Sequence, residues 1–493
     1  MSGAILALDQ GTSATKALVV REDGSIAAQA EVPVMPEAVG TGGVETDAER
    51  LWSSLLGAGT EAMAEAGEDL SAVALANQGE TVLAWRYPTG EPLSPAIGWQ
   101  DRRASSVTQE LASQRDAVRA LSGLELDPYF SAPKMAWLRP RVPAGAVITT
   151  TDTWLLHRLA GSYVTDAATA SRTLLLDLDA GEWSDDLCAL FGVERASLPT
   201  IVGNTDPVGS TRAFGAELPV VGTAVDQQAA LFAESCFERG QAKCTYGTGA
   251  FLLTNVGSSS PRSDAGLATS VAWRIGNATT YCLDGQVYTA GSAVSWLVSL
   301  GIVSSPAELD TLVLGDPGRS RRVDRPNCEI FVPALSGLAA PYWAPEARAA
   351  WSGLSLETDR AALVRAVLEG IAANVAQLAR AEALDVGLPI GRLRADGGLV
   401  RSAALMQAQA DLLQVPVDVY STPHATALGV AAFARIGIGD AKSPEQAVSG
   451  WAPAITYEPS CSAADAERRL ARWLQAADAV AHGLGAAENA KRG

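Results

Sequence analysis

The sequence lacks two signatures by which nucleotide and metal sites are often recognised. No GxxxxGK[ST] pattern occurs in its 493 residues, which excludes a P-loop nucleotide site. Its six cysteines form no CxxC pair and only three histidines are present, so a structural zinc centre is not expected. The histidines are too dispersed to form a catalytic group. Cysteines scattered in this way are typical of buried thiols in a reducing compartment.

Positive charge is also scarce. Lys and Arg number 37 against 55 Asp and Glu, which gives a net charge of -18. Such a surface repels nucleic-acid phosphates and anionic lipid headgroups, so we expect no nucleic-acid partner. A nucleotide can still bind, because local backbone amides and a metal ion outweigh a distant field.

Targeting and membrane segments are missing as well. The N-terminus has no basic segment, and Asp9 interrupts its first apolar run. We find no apolar stretch of membrane-spanning length. A composition of 48% hydrophobic and 19% charged residues is that of a globular protein, and the length favours more than one domain. The sequence therefore predicts a cytoplasmic protein without membrane insertion.

What is present is an alternation of apolar strands and helical segments, which favours an α/β architecture. In the first half, strands are predicted at 4–8, 16–20, 25–32 and 72–76, and helices at 49–66 and 227–233. In the second half, strands are predicted at 241–246, 251–256, 393–395 and 417–419, and helices at 360–384, 403–413, 427–436 and 463–487.

Three turns rich in Gly, Thr and Asp follow predicted strands: DQGTSATK at 9–16, YGTG at 246–249 and DGG at 396–398. Glycine lets the backbone turn sharply or approach a ligand closely, and exposed amides in such turns bind phosphate oxygens. Asp9 can hold Mg²⁺ directly or through water, and Lys16 can meet a phosphate as a point charge. Each turn alone is equally compatible with an ordinary hairpin or loop.

The turns belong to a longer series of blocks in fixed order. ALDQGTSATKALV is followed by ANQGET, GWQDRR, LDPYFSAPK, TTDTWLLHRL, TDAATASRT, VDQQAALF, TYGTGAF, AGSAVSWL, GLAAPYW, ADGGLVRS and ATALGVAAF. This series resembles the FGGY carbohydrate kinases over roughly residues 5–437. Within that family DPYFS, DQQAALF and GLxAPYW are most similar to the glycerol kinases. The resemblance implies ATP-dependent phosphorylation of a primary hydroxyl of a small polyol, with ATP and Mg²⁺.

The resemblance also implies a fold of two actin-like (ribonuclease H-like) domains with a central cleft. We expect an N-terminal domain at 1–240 that mainly binds polyol and a C-terminal domain at 241–450 that mainly binds ATP. A helical tail at 451–493 completes the chain. Domain closure in the family excludes water from the reaction. A homodimer or homotetramer is compatible with this interpretation.

The resemblance implies roles for individual residues, which we assign to this sequence position by position. Asp226 matches the general base that takes the proton of the attacking hydroxyl, although a helix N-cap is an alternative role for it. Polyol contacts carry over to Glu80, Trp99, Tyr129, Asp226, Gln227 and Phe251. The aromatic members offer apolar faces to a carbon chain, and such residues are also common in protein cores.

The resemblance also implies which residues contact the nucleotide. Phosphate and nucleoside contacts match Thr12, Ser13, Lys16, Thr248, Gly291, Ser295, Gly398 and Ser402, and Asp9 matches a metal position. Ser295 and Ser402 stand where glycerol kinases usually carry Gln and Asn, and Lys16 stands where many relatives have Arg. Adenine recognition is therefore expected to differ in detail.

Two departures from the glycerol kinases bear on function. Gly79 stands where an Arg that contacts the polyol is usual, and its absence removes up to five donors and opens volume. Erythritol, another tetritol or a ketose then fits at least as naturally as glycerol. The segment 206–222 also lacks the glycine-rich loop that binds fructose 1,6-bisphosphate in some regulated glycerol kinases. A lesser departure is Val225, where Gly is usual.

An interpretation from a different class is an actin-like or Hsp70-like ATPase module that binds partners. Such a module would share the three glycine turns. The blocks NQGET, GWQDRR and DPYFS argue against it, because a partner-binding ATPase needs no polyol contacts.

Overall fold

Strands and helices alternate along the residues that the computed structural model describes, which are 3–315, 329–448 and 451–483. The strands of the first half are β1 Ala4–Gln10, β2 Ala14–Val20, β3 Ile26–Pro33, β4 Glu37–Val39, β5 Gly43–Thr46, β6 Leu70–Asn77, β7 Val82–Arg86, β8 Glu91–Pro92, β9 Ala96–Ile97, β10 Val147–Thr150, β11 Val164–Asp166, β12 Leu176–Asp177, β13 Glu182–Trp183, β14 Thr200–Val202, β15 Pro207–Thr211 and β16 Leu218–Val225. Its helices are α1 Ala48–Ala66, α2 Ser105–Glu110, α3 Arg115–Ser122, α4 Ser131–Leu138, α5 Thr151–Ala160, α6 Ala167–Ala170, α7 Asp185–Phe191 and α8 Asp226–Ala233.

The second half has fewer strands and longer helices. Its strands are β17 Ala242–Tyr246, β18 Ala250–Gly257, β19 Ala268–Ile275, β20 Ala278–Val287, β21 Ile330–Val332, β22 Ala350–Ser352, β23 Leu393–Asp396, β24 Val417–Tyr420 and β25 Pro453–Tyr457. Its helices are α9 Gly291–Ser299, α10 Glu308–Leu314, α11 Arg360–Val386, α12 Ala403–Leu413, α13 Ala425–Gly437, α14 Pro444–Ala447 and α15 Ala463–His482. The helix predicted at 463–487 ends at His482, and residues 484–487 of that prediction lie outside the described residues.

The two halves repeat one sheet topology. The first sheet has the order β15-β16-β6-β1-β2-β3 and the second β19-β20-β18-β17-β23-β24-β25. In the first, β1, β2 and β3 are antiparallel neighbours, and β6 and β16 continue parallel to β1. In the second, β17, β18 and β20 are antiparallel, and β23 and β24 continue parallel to β17. This repeat confirms the predicted α/β fold of two actin-like units.

Helix α1 shows how the sequence builds one layer against its sheet. Asp47 caps the helix by accepting a hydrogen bond from the Arg50 amide at 2.8 Å. The chain leaves the helix at Gly67, whose φ of +60° suits a residue without a Cβ. Leu51, Leu55 and other residues at helical spacing are buried where α1 packs on β2 and β3.

Helix α13 comes from the second half of the chain but packs on the first sheet. It contacts α8, β16, β6 and β1. Small residues permit this approach, since a Cβ on Gly429 would collide with the carbonyl oxygen of Ala229. The start of α8, which carries the predicted base Asp226, is thereby held between the two halves.

Helix α11 corrects the expectation that no apolar segment is long enough to cross a membrane. By length and composition it meets that requirement. However, 67% of its most apolar window is buried inside the protein, and it packs against α12, β20 and β21. It is the central helix of the second half.

The described cysteines agree with the expectation of unpaired thiols. Cys188, Cys236, Cys244 and Cys282 are free and buried, and Cys461 is free and partly exposed. Cys328 lies outside the described residues.

The segment 206–222 forms an antiparallel pair of strands, β15 and β16. The connection between them is anchored by Phe214, which is buried against α1. A Cβ on Gly59 would collide with the Phe214 ring. The other residues at 212–217 are exposed, and Gly215 is the one glycine among them, so this connection is not a glycine-rich loop.

We expect fructose 1,6-bisphosphate not to inhibit the protein. The described connection between β15 and β16 is not a glycine-rich loop, and the net charge of -18 repels a polyanion. The test is phosphotransfer at saturating ATP over a millimolar series of the bisphosphate, with fructose 6-phosphate as the control. Inhibition specific to the bisphosphate would show that a site exists.

Candidate active site

The turn between β1 and β2 forms the first-half rim of the cleft. The Gly11 amide donates to the Ala14 carbonyl at 3.0 Å, which closes the turn. Thr12 and Ser13 lie at its tip, and Thr12 Oγ1 accepts a hydrogen bond from Trp99 Nε1 at 2.9 Å. The structure thus brings together a predicted phosphate contact and a predicted polyol contact.

The second-half rim is built from turns that only glycine permits. A Cβ on Gly291 would lie 2.6 Å from the Gly247 carbonyl oxygen. Gly397 has a φ of +95°, and a Cβ there would lie 2.5 Å from the Tyr246 carbonyl oxygen. The YGTG turn, the start of α9 and the DGG turn therefore pack backbone against backbone. Thr248 and Gly398 remain exposed at this rim.

The two serines predicted near the nucleoside have different surroundings. Ser402 is buried and caps α12, with its Oγ accepting from the Leu405 amide at 3.3 Å. The same hydroxyl donates to Asp310 Oδ1 at 2.8 Å. Ser295 is exposed on α9. Ser402 thus already has a structural partner, and nucleoside contact by either serine stays a prediction.

Glu80 lies at the floor of the cleft. It is 4% exposed and its φ is +58°, a left-handed conformation that costs a non-glycine residue about 1–3 kcal/mol. Arg172 Nε donates to Glu80 Oε1 at 2.6 Å, and Arg172 Nη1 lies 2.7 Å from Asp284 Oδ2 on β20. An ion chain thus links a first-half carboxylate to the second half.

An aromatic wall stands beside this floor. The ring centroids of Trp99 and Tyr129 are 5.7 Å apart, and those of Trp99 and Phe251 are 6.3 Å apart, both nearly edge to face. Phe251 belongs to β18, so both halves contribute to the wall. Its apolar faces suit the carbon chain of a polyol.

Lys134 is a buried cation that orders the loop before α4. Its Nζ donates to the carbonyls of Pro128 at 3.0 Å and Phe130 at 2.7 Å, and also to that of Tyr129. Burial lowers the pKa of Lys134 to about 7, against the opposing effect of Glu80. It holds the Tyr129 side of the aromatic wall in place.

Asp226 is the first residue of α8, and Val225 occupies the N-cap position. Asp226 Oδ1 accepts from the Gln227 amide at 2.7 Å, whereas an N-cap side chain bonds an amide two or three residues on. The alternative of an N-cap is therefore wrong. Burial raises the pKa of Asp226 to about 7, and the charges of Asp9 and Glu80 contribute to the rise. A pKa near neutrality suits a general base.

The Asp9 carboxylate suits a magnesium ion shared with phosphates. Burial raises the pKa of Asp9 to about 6, while Lys16 opposes the rise. Among residues 3–315, 329–448 and 451–483 there is no group of three or more His, Cys, Asp or Glu that would form a cage for a metal. Mg²⁺ commonly uses one or two carboxylates together with waters and substrate phosphates, so this donor set fits it.

Gly79 does not open the volume that the sequence predicted. A Cβ at this position would lie 2.9 Å from Val225 Cγ2, and Val225 is 2% exposed. Gly79 and Val225, both departures from the glycerol kinases, are therefore in contact, and Val225 partly fills the space beside Gly79. The loss of a guanidinium donor remains, but an arginine could not enter without displacing Val225.

Sequence reasoning missed three buried cations of the cleft: Lys134, Arg172 and Lys243. Lys243, on β17, donates to Gln227 Oε1 at 2.6 Å. All three stand inside or beside the family blocks, in SAPK, in TASRT and in the run before YGTG. A lysine or arginine inside a buried strand or helix was the available signal, since such residues are almost never fully buried unless paired.

Comparisons with known proteins cover nearly the whole chain. The N-terminal and C-terminal domains of the FGGY family of carbohydrate kinases match residues 4–233 and 242–438. A glycerol kinase of Myxococcus xanthus is 40% identical over 96% of this chain and 98% of its own. One from Deinococcus radiodurans is 37% identical over 96% of each chain.

Solved structures share the fold. A Plasmodium falciparum glycerol kinase with ADP superposes with a TM-score of 0.89 at 29% identity, over 97% of this chain and 98% of that one. A xylulose kinase of Rhodospirillum rubrum gives 0.84 at 23% identity, over 96% and 98%, which shows likeness of fold alone.

Replacing Asp226 by Asn should lower kcat by roughly 10²–10⁴-fold, because the amide keeps the shape but cannot accept a proton. Wild-type kcat/KM should rise with pH through about 7, where Asp226 loses its proton, and the residual activity of the variant should lack this rise. Steady-state phosphotransfer from about pH 5.5 to 8.5 checks both. Near-normal kcat in the variant would show that another group is the base.

Proposed function

Because the chain belongs to the FGGY family of carbohydrate kinases and is an ATP-dependent phosphotransferase, we propose that it phosphorylates a primary hydroxyl of a small polyol, with glycerol as the leading substrate. The observation that carries this proposal is a partly exposed carboxylate, Asp226, whose pKa is raised to about 7. It lies beside Gln227 and within electrostatic reach of Glu80. The glycerol kinases similar to this chain supply the substrate class.

Residues of both halves would bind the polyol, and Asp226 of the first half would activate it. Glu80 and Gln227 bind hydroxyls that do not react, and Trp99, Tyr129 and Phe251 flank the carbon chain. Asp226 accepts the proton of the reacting hydroxyl. At the same time the hydroxyl oxygen forms a bond to the γ-phosphorus of ATP, and the bond between that phosphorus and ADP breaks. Exclusion of water between the halves limits ATP hydrolysis.

The second half and the β1–β2 turn would bind the nucleotide. Thr12, Ser13, Lys16, Thr248, Gly291 and Gly398 are the proposed phosphate contacts, with Ser295 and Ser402 nearer the nucleoside. Mg²⁺, when held by Asp9 directly or through water, neutralises charge that develops on the phosphates. Lys16 adds a second positive charge beside the phosphates.

We also propose the division into a polyol domain at 1–240, an ATP domain at 241–450 and a tail at 451–493. The repeated sheets support the first two units. α13 contributes to the core of the first unit although it belongs to the second in sequence. A cytoplasmic location and a homodimer or homotetramer complete the proposal.

A second candidate is a tetritol or ketose kinase of the same family, and Gly79 is the observation that favours it. Position 79 supplies no donor, so the hydroxyl usually bound there must find another partner. The contact with Val225 limits the gain in space. An altered donor pattern, rather than a larger pocket, is what would favour a different substrate.

We expect Gly79→Arg alone to lower kcat/KM for every substrate, because its Cβ would overlap Val225 Cγ2. Adding Val225→Gly should relieve the overlap and shift the ratio of kcat/KM toward glycerol over erythritol. A matched polar contact discriminates between two substrates more strongly than an extra methylene, which is worth only ~1–3 kcal/mol. Val225→Gly alone is the control. An unchanged ratio in the double variant would show that position 79 does not select the substrate.

The experiment that tests the proposed function is coupled ADP release over glycerol, erythritol, xylitol, dihydroxyacetone and xylulose, with ATP saturating. We expect at least one three- or four-carbon compound to raise ADP release far above the rate with ATP alone. A rate independent of every compound would contradict the proposal and favour an ATPase module.

A further inference from the structure

Lys243 is a fully buried cation for which the proposed reaction has no use. It is 0% exposed in β17. Its Nζ donates to Gln227 Oε1 at 2.6 Å and to Thr245 Oγ1 at 2.7 Å. A buried ammonium without such acceptors would be costly, so these contacts are the condition for its presence.

The contact fixes the orientation of the Gln227 amide. A lysine ammonium carries only donors, so the amide oxygen of Gln227 must face it. The amide nitrogen then faces away from Lys243, and among the described residues it donates to no protein acceptor. Gln227 follows the predicted base in sequence and its side chain is partly exposed to the cleft. Two N–H donors are therefore available to a ligand oxygen.

We propose that Lys243 is a positioning residue that holds Gln227 so that its Nε2 donates to a hydroxyl or carbonyl oxygen of the substrate. The inference rests on the proposed polyol site and names the residue that sets the donor pattern there. Without Lys243 the amide would be free to turn over and present its oxygen to the ligand instead. Substrate affinity would fall without any change in the nucleotide contacts.

Lys243 also faces several charges on neighbouring elements. Asp226 and Glu234, at the two ends of α8, and Asp396 on β23 each have a pKa that Lys243 lowers against the larger effect of burial. Arg394 on β23 also lowers the pKa of Glu234. Loss of Lys243 therefore alters the field at the base as well as the amide, and a test must separate the two effects.

A double-mutant cycle between Lys243 and Gln227 separates the effect on the amide orientation from the effect on the field at Asp226. Lys243→Met should raise KM for glycerol roughly 10- to 100-fold, the effect of losing one buried polar contact, with KM for ATP little changed. In a Gln227→Ala background the same change should leave KM for glycerol nearly constant, because the amide is already gone. A field effect on Asp226 would lower kcat in both backgrounds. Equal increases in KM for glycerol in the two backgrounds would overturn the proposal.

Lys134→Met is the matched control, since Lys134 is also buried at the site but its Nζ contacts are backbone carbonyls. Its effect on KM should be the same with and without Gln227→Ala. Lys243→Arg, which keeps the charge and the donors, should recover part of the lost affinity. Failure of the arginine to recover any affinity while the protein stays folded would count against a positioning role.

Gln227→Glu gives a readout that needs no turnover. The new carboxylate would face Lys243 but also adjoin Asp226, so its effect on the thermal midpoint is compared in the wild-type and Lys243→Gln backgrounds. The change should be clearly more favourable when Lys243 is present, and an equal change in the two backgrounds would overturn the inference. If wild type releases no ADP with any polyol, the proposed function fails, and this measurement alone still decides whether the contact exists.

Discussion

A group of three carboxylates sets the constraint on which this cleft depends: Glu80 is buried, Asp9 and Asp226 are partly exposed, and Asp226 lies within electrostatic reach of the other two. Burial raises the pKa of Asp9, Glu80 and Asp226, and the charges of the first two act on the third. Like charges held together out of water are unfavourable. Each is therefore accompanied by a cation that opposes the rise: Lys16 for Asp9, Arg172 for Glu80 and Lys243 for Asp226.

This pairing explains how a chain of net charge -18 can hold an anionic nucleotide. The long-range field is repulsive, so binding must depend on local donors. Backbone turns supply them, and glycine is required where the turns at Gly291 and Gly397 touch their neighbours. The repeated sheets place one such rim on each side of the cleft. Local amides and a few buried cations thus prevail over the distant charge.

Much of the fold could be predicted from the sequence because its signals are local. The strands that carry the three turns and the long helix α11 follow from apolar periodicity and from the glycines that come directly after them, whereas α12 follows from periodicity alone and has Gln414 as its C-cap. The order of the sequence blocks then indicated the family, which the comparisons confirm. The roles of individual site residues, by contrast, stay predictions.

What the sequence could not predict lies in contacts between distant segments. Gly79 and Val225 looked like two independent departures, and only their contact shows that one partly offsets the other. The partner of Lys243 could not be predicted either, because Gln227 lies on a helix of the other half. The packing of α13 on the first sheet is likewise a property of the assembled fold.

In the proposed reaction the cleft transfers a phosphoryl group to a polyol rather than to water. The most direct test is ³¹P and ¹³C NMR of the products formed from ATP and ¹³C-labelled glycerol or erythritol. We expect a phosphate ester on a primary carbon, formed in equal amount to ADP, with little inorganic phosphate. Release of inorganic phosphate with no phosphorylated polyol would contradict it.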